Sequence, residues 1–396
     1  MPSNAEVTKT LNKLREEANP DLAPLFYEFE SLYQQKLWHQ LTERLNIFFE
    51  DPRSAELRLS TYLKFVTIFY DKINQLSVVE FLLQSLRDYH DHDQSIKYLT
   101  ELEQFFKTID EKKQRNDGLK THEDGNLLIE IETARLYLRK DNLVKSRDLL
   151  DDLGRILDRR DSIPLRVTNA YYSTSAEYYR LKNDFNNFYY TSLLYLSTVD
   201  QQEFQQEANL KENRQLSYNL SIAALLGDRI YNFGELLNHP IMDTISKDPQ
   251  YRWIFDLLNS LTLGDFEKFD NLIGVQIPKV PILAEHESFL RQKICLMTLV
   301  ESVFAKNIRT LSFDDISQAS HLPKDNVEHL VMRAISLSLL KGSIDQVNEL
   351  VNITWVQPRI INSAQISRMR DIIVDWDSEV TKLGEKIASH GKPIWV

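Results

Sequence analysis

The chain has 396 residues, of which 42% are hydrophobic and 27% charged, a folded rather than disordered composition long enough for two or three folding units. With 47 Lys and Arg against 58 Asp and Glu, the net charge is −11 and no basic patch stands out, which argues against nucleic acid as a partner. The single cysteine, Cys295, excludes an intrachain disulfide or a thiolate cluster. Residues 1–13 lack the apolar run of a signal peptide and no uncharged stretch is long enough for a bilayer, so a soluble intracellular protein without membrane contact is expected.

In chain order, residues 25–49 carry Phe26, Phe29, Leu32, Tyr33 and Leu37 at helical spacing and predict an amphipathic helix; 57–86 reads the same way. The polar segment 110–126 has no apolar period, and its second half predicts a loop. A short element then recurs: Arg139-Lys140-Asp141-Asn142-Leu143, Lys182-Asn183-Asp184-Phe185, Leu226-Gly227-Asp228-Arg229-Ile230 and Leu263-Gly264-Asp265-Phe266. Its Asp residues stand 43, 44 and 37 positions apart, with small residues before the turns at Ala134, Ala176, Ala223 and Ala224 and apolar ones after at Leu149, Leu193, Leu236 and Leu272. This regularity predicts helix–turn–helix repeats stacked into a TPR-like solenoid rather than unrelated hairpins. The small residues let helices approach closely, and the turn Asp or Asn caps the next helix. Segments 110–126 and 200–213 read as polar insertions.

From His286 the pattern changes. Residues 288–307 predict a long amphipathic helix with Leu290, Ile294, Met297, Leu299 and Val303, followed by a short apolar stretch at 310–313. Ser312 and Asp315 have capping-box spacing at the start of a helix with Ile316 and Ala319. Pro323 falls where the first residue of the next helix tolerates it, and that helix carries Val327, Leu330, Val331, Ala334, Ile335 and Leu339 and stops at Gly342. Val351 to Trp355 alternates as a half-buried strand does. Helix, strand, helix, turn, helix and wing is the order of a winged helix. Its second helix begins Lys324-Asp325-Asn326 and carries Glu328, His329 and Arg333; two cations offset by two carboxylates favour protein docking over DNA, with a nucleic-acid-binding winged helix as the alternative.

The last element repeats apolar residues at Ile366, Met369, Ile373, Trp376, Val380, Leu383 and Ile387, spaced alternately 3 and 4 apart. That is a narrow heptad seam made for other helices, with packing on this chain's own wing or solenoid as the alternative. The expected partner interface comprises these seven residues with Ile353 and Trp355 of the wing strand. The expected division is an arm (1–126), a solenoid (127–284), a winged helix (285–360) and a bundle helix with its tail (361–396).

Catalytic chemistry is not visible. Gly391-Lys392 lacks the flanks of a P-loop, and no His-Glu-x-x-His run occurs. His90-Asp91-His92 lacks the continuation of a metalloprotease His-x-His motif and sits in a solvated acidic stretch. Cys295 lies among Ile294, Leu296 and Met297, the setting of a structural thiol rather than a nucleophile. Asp151-Asp152 and Asp314-Asp315 fall on helix surfaces or N-termini. No enzyme activity, cofactor or metal is expected.

Four runs carry a specific resemblance: FYDKINQLSVV (69–79), NFYYTSLLYL (187–196), HESFLRQKICLM (286–297) and LPKDNVEHLVMRA (322–334). With the solenoid, winged helix and terminal helix, the chain resembles the PCI family. Within it the chain resembles the subunits of the 26S proteasome lid, from the first helices to the closing Ile394-Trp395-Val396. The resemblance implies a non-catalytic scaffold of the lid, supporting ATP-dependent degradation of ubiquitinated proteins in cytoplasm and nucleus. Its implied partners are other lid subunits of PCI and MPN type, met through the winged helix and the C-terminal bundle, together with a ubiquitin receptor and the core particle. A PCI scaffold of another complex, the signalosome or the translation-initiation scaffold, is the alternative.

Overall fold

A computed structural model of the protein describes residues 4–17, 22–87, 89, 91–117, 122–199, 210–276, 280–306, 310–357 and 363–391. The chain forms two compact units, residues 1–199 and 200–396.

The first unit is a run of helices: α1 (Asn4–Glu17), α2 (Ala23–Gln35), α3 (Trp38–Glu50), α4 (Ala55–Lys64), α5 (Gln75–Leu86), α6 (His92–Asp117), α7 (Glu123–Arg139), α8 (Leu143–Leu157), α9 (Leu165–Leu181) and α10 (Phe185–Thr198). The single helix expected over 25–49 is broken at Lys36, which adopts φ 58° while the Leu37 amide donates to Leu32 O at 3.0 Å. Both α2 and α3 can then turn an aromatic face inward. The expected 57–86 helix is likewise interrupted by 3-10 turns at Val66–Ile68 and Tyr70–Lys72, and resumes where Asn74 accepts from the Leu76 amide. Tertiary packing causes this break, because Phe65 and Phe69 are drawn into a ring cluster with Phe29, Tyr33 and Trp38 at centroid distances of 4.9–6.1 Å.

The polar segment 110–126 is more ordered than its composition suggests. Asp110, inside α6, is an anchor: one carboxylate oxygen lies 2.7 Å from His122 Nδ1 and the other accepts the His122 amide at 3.2 Å, both residues buried. Gly125 and Asn126 belong to α7 rather than to a loop, and the Gly125 amide donates to Gln75 Oε1 at 3.0 Å. Residues 118–121, the middle of the expected loop, lie outside the described residues, as do 200–209 of the other insertion. One hydrophobic core extends from Val7 through Val167.

The repeat turns share one backbone device. The amides of Asn142, Asp184 and Asp265 donate to Tyr137 O, Tyr179 O and Ser260 O at 2.9, 3.0 and 3.0 Å, the long bond of a Schellman motif. Asp141, Asn183 and Gly264 take the left-handed position before them, at φ 59°, 59° and 67°. The side chains of Asn142, Asp184 and Asp265 then accept from the amides three residues on and cap the next helix. Asp141 therefore corresponds to Asn183 and Gly264 rather than to Asp184, a one-residue shift from the expected phase. Gly227-Asp228 does not follow the pattern. Gly227 lies outside the left-handed region, and the chain continues through buried Ile230, Tyr231 and Phe233 into short helices. Ala134, Ala176, Ala223 and Ala224 are all buried, as close helix approach requires.

The second unit contains α11 (Leu210–Leu226), the short α12 (Gly234–Asn238) and α13 (Asp243–Ser246), α14 (Arg252–Leu263), α15 (Phe266–Gln276), α16 (Pro281–Glu285) and α17 (Glu287–Lys306). The winged helix follows: β1 (Thr310–Ser312), α18 (Phe313–Ser320), α19 (Lys324–Ser336), β2 (Leu340–Asp345) and β3 (Leu350–Val356), and α20 (Ser363–Gly391) closes the chain. The three strands are antiparallel in the order β1-β3-β2, with Leu311 opposite Val351 and Gly342 opposite Ile353. The capping box forms as expected, Ser312 Oγ accepting from the Asp315 amide and the Asp315 carboxylate from the Ser312 amide. Pro323 is the cap of α19 rather than its first residue.

One expected boundary is corrected. The helix does not run on to Gly342 but ends at Ser336, where Ser338 turns left-handed at φ 58° and the Leu339 amide donates to Ala334 O at 3.0 Å. Gly342 instead sits in β2 at a bulge, where a Cβ would lie 2.2 Å from Asn352 O. Only a glycine fits so close a strand crossing.

Candidate protein interaction site

One buried polar side chain of the second unit was passed over by sequence reasoning. Lys293 lies on the buried face of α17 with Leu290, Ile294 and Met297, and is itself 1% exposed. Its ammonium donates to Ala224 O, Leu225 O and Gly227 O at 2.8, 3.1 and 2.8 Å, capping the C-terminal end of α11. The faces of Tyr231, Phe233 and Phe289 surround it at 5.2–5.6 Å. Burial pulls its pKa down to about 7, against a weaker upward pull from Asp228. All three ammonium donors are satisfied, so α17 and α11 are tied by one side chain. The signal in the sequence was a lysine three residues after Leu290 and four before Met297, on an otherwise apolar stripe.

Elsewhere the module is closed. Cys295 is buried, its thiol 3.8 Å from Ser320 O, and burial pushes its pKa up. Lys324, at the start of α19, is paired with Asp314 and with Glu349 at 3.5 Å, so its charge is not presented alone. Among the described residues no group of three or more His, Cys, Asp or Glu side chains is placed to hold a metal. His92 opens α6, whereas His90 lies outside the described residues.

The sequence-expected interface residues divide in two. In β3 the alternation holds: Val351 and Ile353 point inward, Asn352 and Thr354 outward. Ile353 is 4% exposed and belongs to the module's own core, so it supports the wing instead of offering a contact. Trp355 is partly exposed, with Lys341 Nζ 5.0 Å from its ring centre. At the hairpin tip Val347 is exposed on a turn locked by Asp345, whose carboxylate accepts from the Val347 and Asn348 amides at 3.1 Å each.

The seven heptad residues are brought together. Ile366, Met369, Ile373, Trp376, Val380, Leu383 and Ile387 lie along one side of the 29-residue α20, and each is 46–65% exposed. Every other described side chain from 367 to 390 is exposed as well, including Ile372 and Val374, which flank the seam and widen it. Arg370, Asp371, Asp375, Asp377, Glu379 and Lys386 are among the residues at the remaining positions. So continuous an uncovered apolar stripe on a helix makes it the candidate interaction surface of the chain. Among the described residues no helix is long and apolar enough to cross a membrane.

Helical repeats, a winged helix and an uncovered amphipathic helix, in that order, define a PCI-type scaffold chain. Three family descriptions match the chain in the same order: PSD13 N-terminal repeats over residues 25–258, PCI domain over 276–355 and Rpn9 C-terminal helix over 359–391. The 26S proteasome regulatory subunit RPN9 of Saccharomyces cerevisiae is 63% identical over 396 residues, 100% of each chain. A probable 26S proteasome regulatory subunit rpn9 of Schizosaccharomyces pombe is 37% identical over 369 residues, 93% of this chain and 92% of its own. The 26S proteasome non-ATPase regulatory subunit 13 of Dictyostelium discoideum is 32% identical over 367 residues, 90% of each chain. The chain belongs to this family of PCI-domain 26S proteasome regulatory subunits.

Proposed function

We propose that this chain is a non-catalytic scaffold subunit of the 26S proteasome lid, which supports lid assembly and so the ATP-dependent degradation of ubiquitinated proteins. The observation that carries the mechanism is the uncovered stripe of α20, from Ile366 to Ile387. Large apolar side chains gain roughly 1.5–3 kcal/mol each on full burial. A bundle with helices of other lid subunits therefore supplies a strong drive even after the entropy of association is subtracted. In this reading residues 1–126 are an arm, 127–284 a solenoid, 285–360 the docking module and 361–396 the bundle element. Partners are lid subunits of PCI and MPN type, with a ubiquitin receptor and the core particle reached by the arm, in cytoplasm and nucleus. Trp355 contributes to the wing contact and Ile353 supports it from inside.

Truncation after residue 362 tests the claim, since every described side chain of α20 is exposed. The truncated chain is expected to lose no more helical signal than α20 itself contributes and to keep its melting behaviour, but to fail to co-purify with the lid. Incorporation at the level of the full chain would refute the bundle mechanism. The charge-inserting pair Ile373→Asp and Trp376→Asp is expected to give the same loss.

A further inference from the structure

A cavity of about 310 Å³ opens between α8 and α10, with α9 as its floor. Its size lies at the lower end of ligand sites, roughly 300–1,000 Å³, and suits a side chain or a short extended segment. The floor is built from two tyrosine pairs one heptad apart on α9, Tyr171 with Tyr172 and Tyr178 with Tyr179. Gly154 on α8 gives the floor its depth, because a Cβ there would come within 2.7 Å of the Tyr171 hydroxyl. Asp151 and Asp158 stand exposed on the rim. Arg147 also lines the cavity, but its guanidinium is turned to Asp148, with Nε and Nη2 at 3.1 and 2.8 Å from one carboxylate oxygen.

The rim of the cleft therefore carries two carboxylates beside aromatic faces, with cations at its edge in Arg147 and in Lys182, whose Nζ lies 6.0 Å from the Tyr178 ring centre. Burial pushes the Tyr171 phenol up against a hydrogen bond with Ser175, with Tyr179 and then Asp158 adding to the rise; burial and then Asp151 push up Tyr179. Carboxylates beside tyrosine faces are complementary to a cationic side chain with an apolar stem, and opposed to an acidic or phosphorylated one.

We propose that this cleft is a docking site for a lysine- or arginine-bearing segment of a partner protein, the cationic head lying between Asp151 and Asp158 and its stem along the tyrosines. The cleft belongs to the first unit and the wing and α20 to the second, so its test does not depend on the bundle mechanism.

Fluorescence anisotropy on the full chain would measure binding of a short labelled peptide rich in lysine and arginine and of its glutamate counterpart. The basic peptide is expected to bind and the acidic one not. Asp151→Asn with Asp158→Asn, or Thr191→Trp placed to fill the cleft, is expected to weaken binding about tenfold or more. Asp375→Asn with Asp377→Asn on α20 serves as the control for general attraction to an acidic chain, and is expected to leave binding unchanged. Equal binding of both peptides, cleft variants that bind as the wild type does, or a control that loses as much as they do, would each overturn the proposal.

Discussion

Replacing Lys293 by methionine keeps an unbranched stem on α17 and removes the ammonium from the end of α11. In the folded protein that ammonium donates to the carbonyls of Ala224, Leu225 and Gly227, and hydrogen bonds to a charged group contribute roughly 1.5–3 kcal/mol each. Desolvation opposes them. Burial is the main cause of the fall in pKa from 10.5 to about 7, a net shift, after the opposing pull of Asp228, of about 5 kcal/mol against the charged form at 1.36 kcal/mol per pKa unit. Methionine escapes that cost but leaves three carbonyls without their donor, so the expected net loss is about 1–4 kcal/mol. Urea unfolding at pH 7 with an unchanged m-value measures it. A variant as stable as the wild type would refute the view that carbonyl capping outweighs desolvation.

The same side chain gives stability a pH slope. Its folded pKa, about 7, lies below the unfolded 10.5. Between those values the unfolded chain binds the extra proton, and wild-type stability rises with pH relative to Lys293→Met by at most about 1.4 kcal/mol per unit. The gain is lost as pH falls to 7, and below that the slope vanishes. A difference that stays flat from about pH 7 to 9 would mean that the carbonyls and rings hold the proton in spite of burial.

Gly342→Ala drives a methyl into Asn352 O across the wing, and an expected loss of about 2 kcal/mol or more in thermal unfolding should accompany weakened lid binding. Gly264→Ala meets both a left-handed φ and a Cβ contact of 3.0 Å with Thr298, so it should cost about 1–2 kcal/mol by denaturant titration. Asp141→Gly, at the same turn position with φ 59°, should instead be neutral or stabilising by up to about 1 kcal/mol.

Local features were legible. Ser312 and Asp315 are three residues apart, the reach of a capping box, and both bonds form. The heptad of α20 could be read because nothing in the described chain bends or covers it. The turns were read with an error of one position at Asp141, since Asp and Asn serve equally as left-handed residue or as cap. The wing strand β3 was visible by its alternation, whereas β2 was hidden by the apolar pattern of Leu339 and Leu340 running on from α19.

By itself the sequence determined what contacts within a turn or two decide: helical repeats, the caps, the alternation of β3 and the heptad seam of the last helix. Only tertiary structure decided the breaks at Lys36 and after Lys64, the fit of Gly342 under Asn352 and the place of Ile353 inside the module. It also decided the fate of Lys293, whose acceptors lie 66–69 positions away along the chain. Periodicity reports which face of an element is apolar, but which partner covers that face depends on contacts whose sequence separation no local pattern encodes.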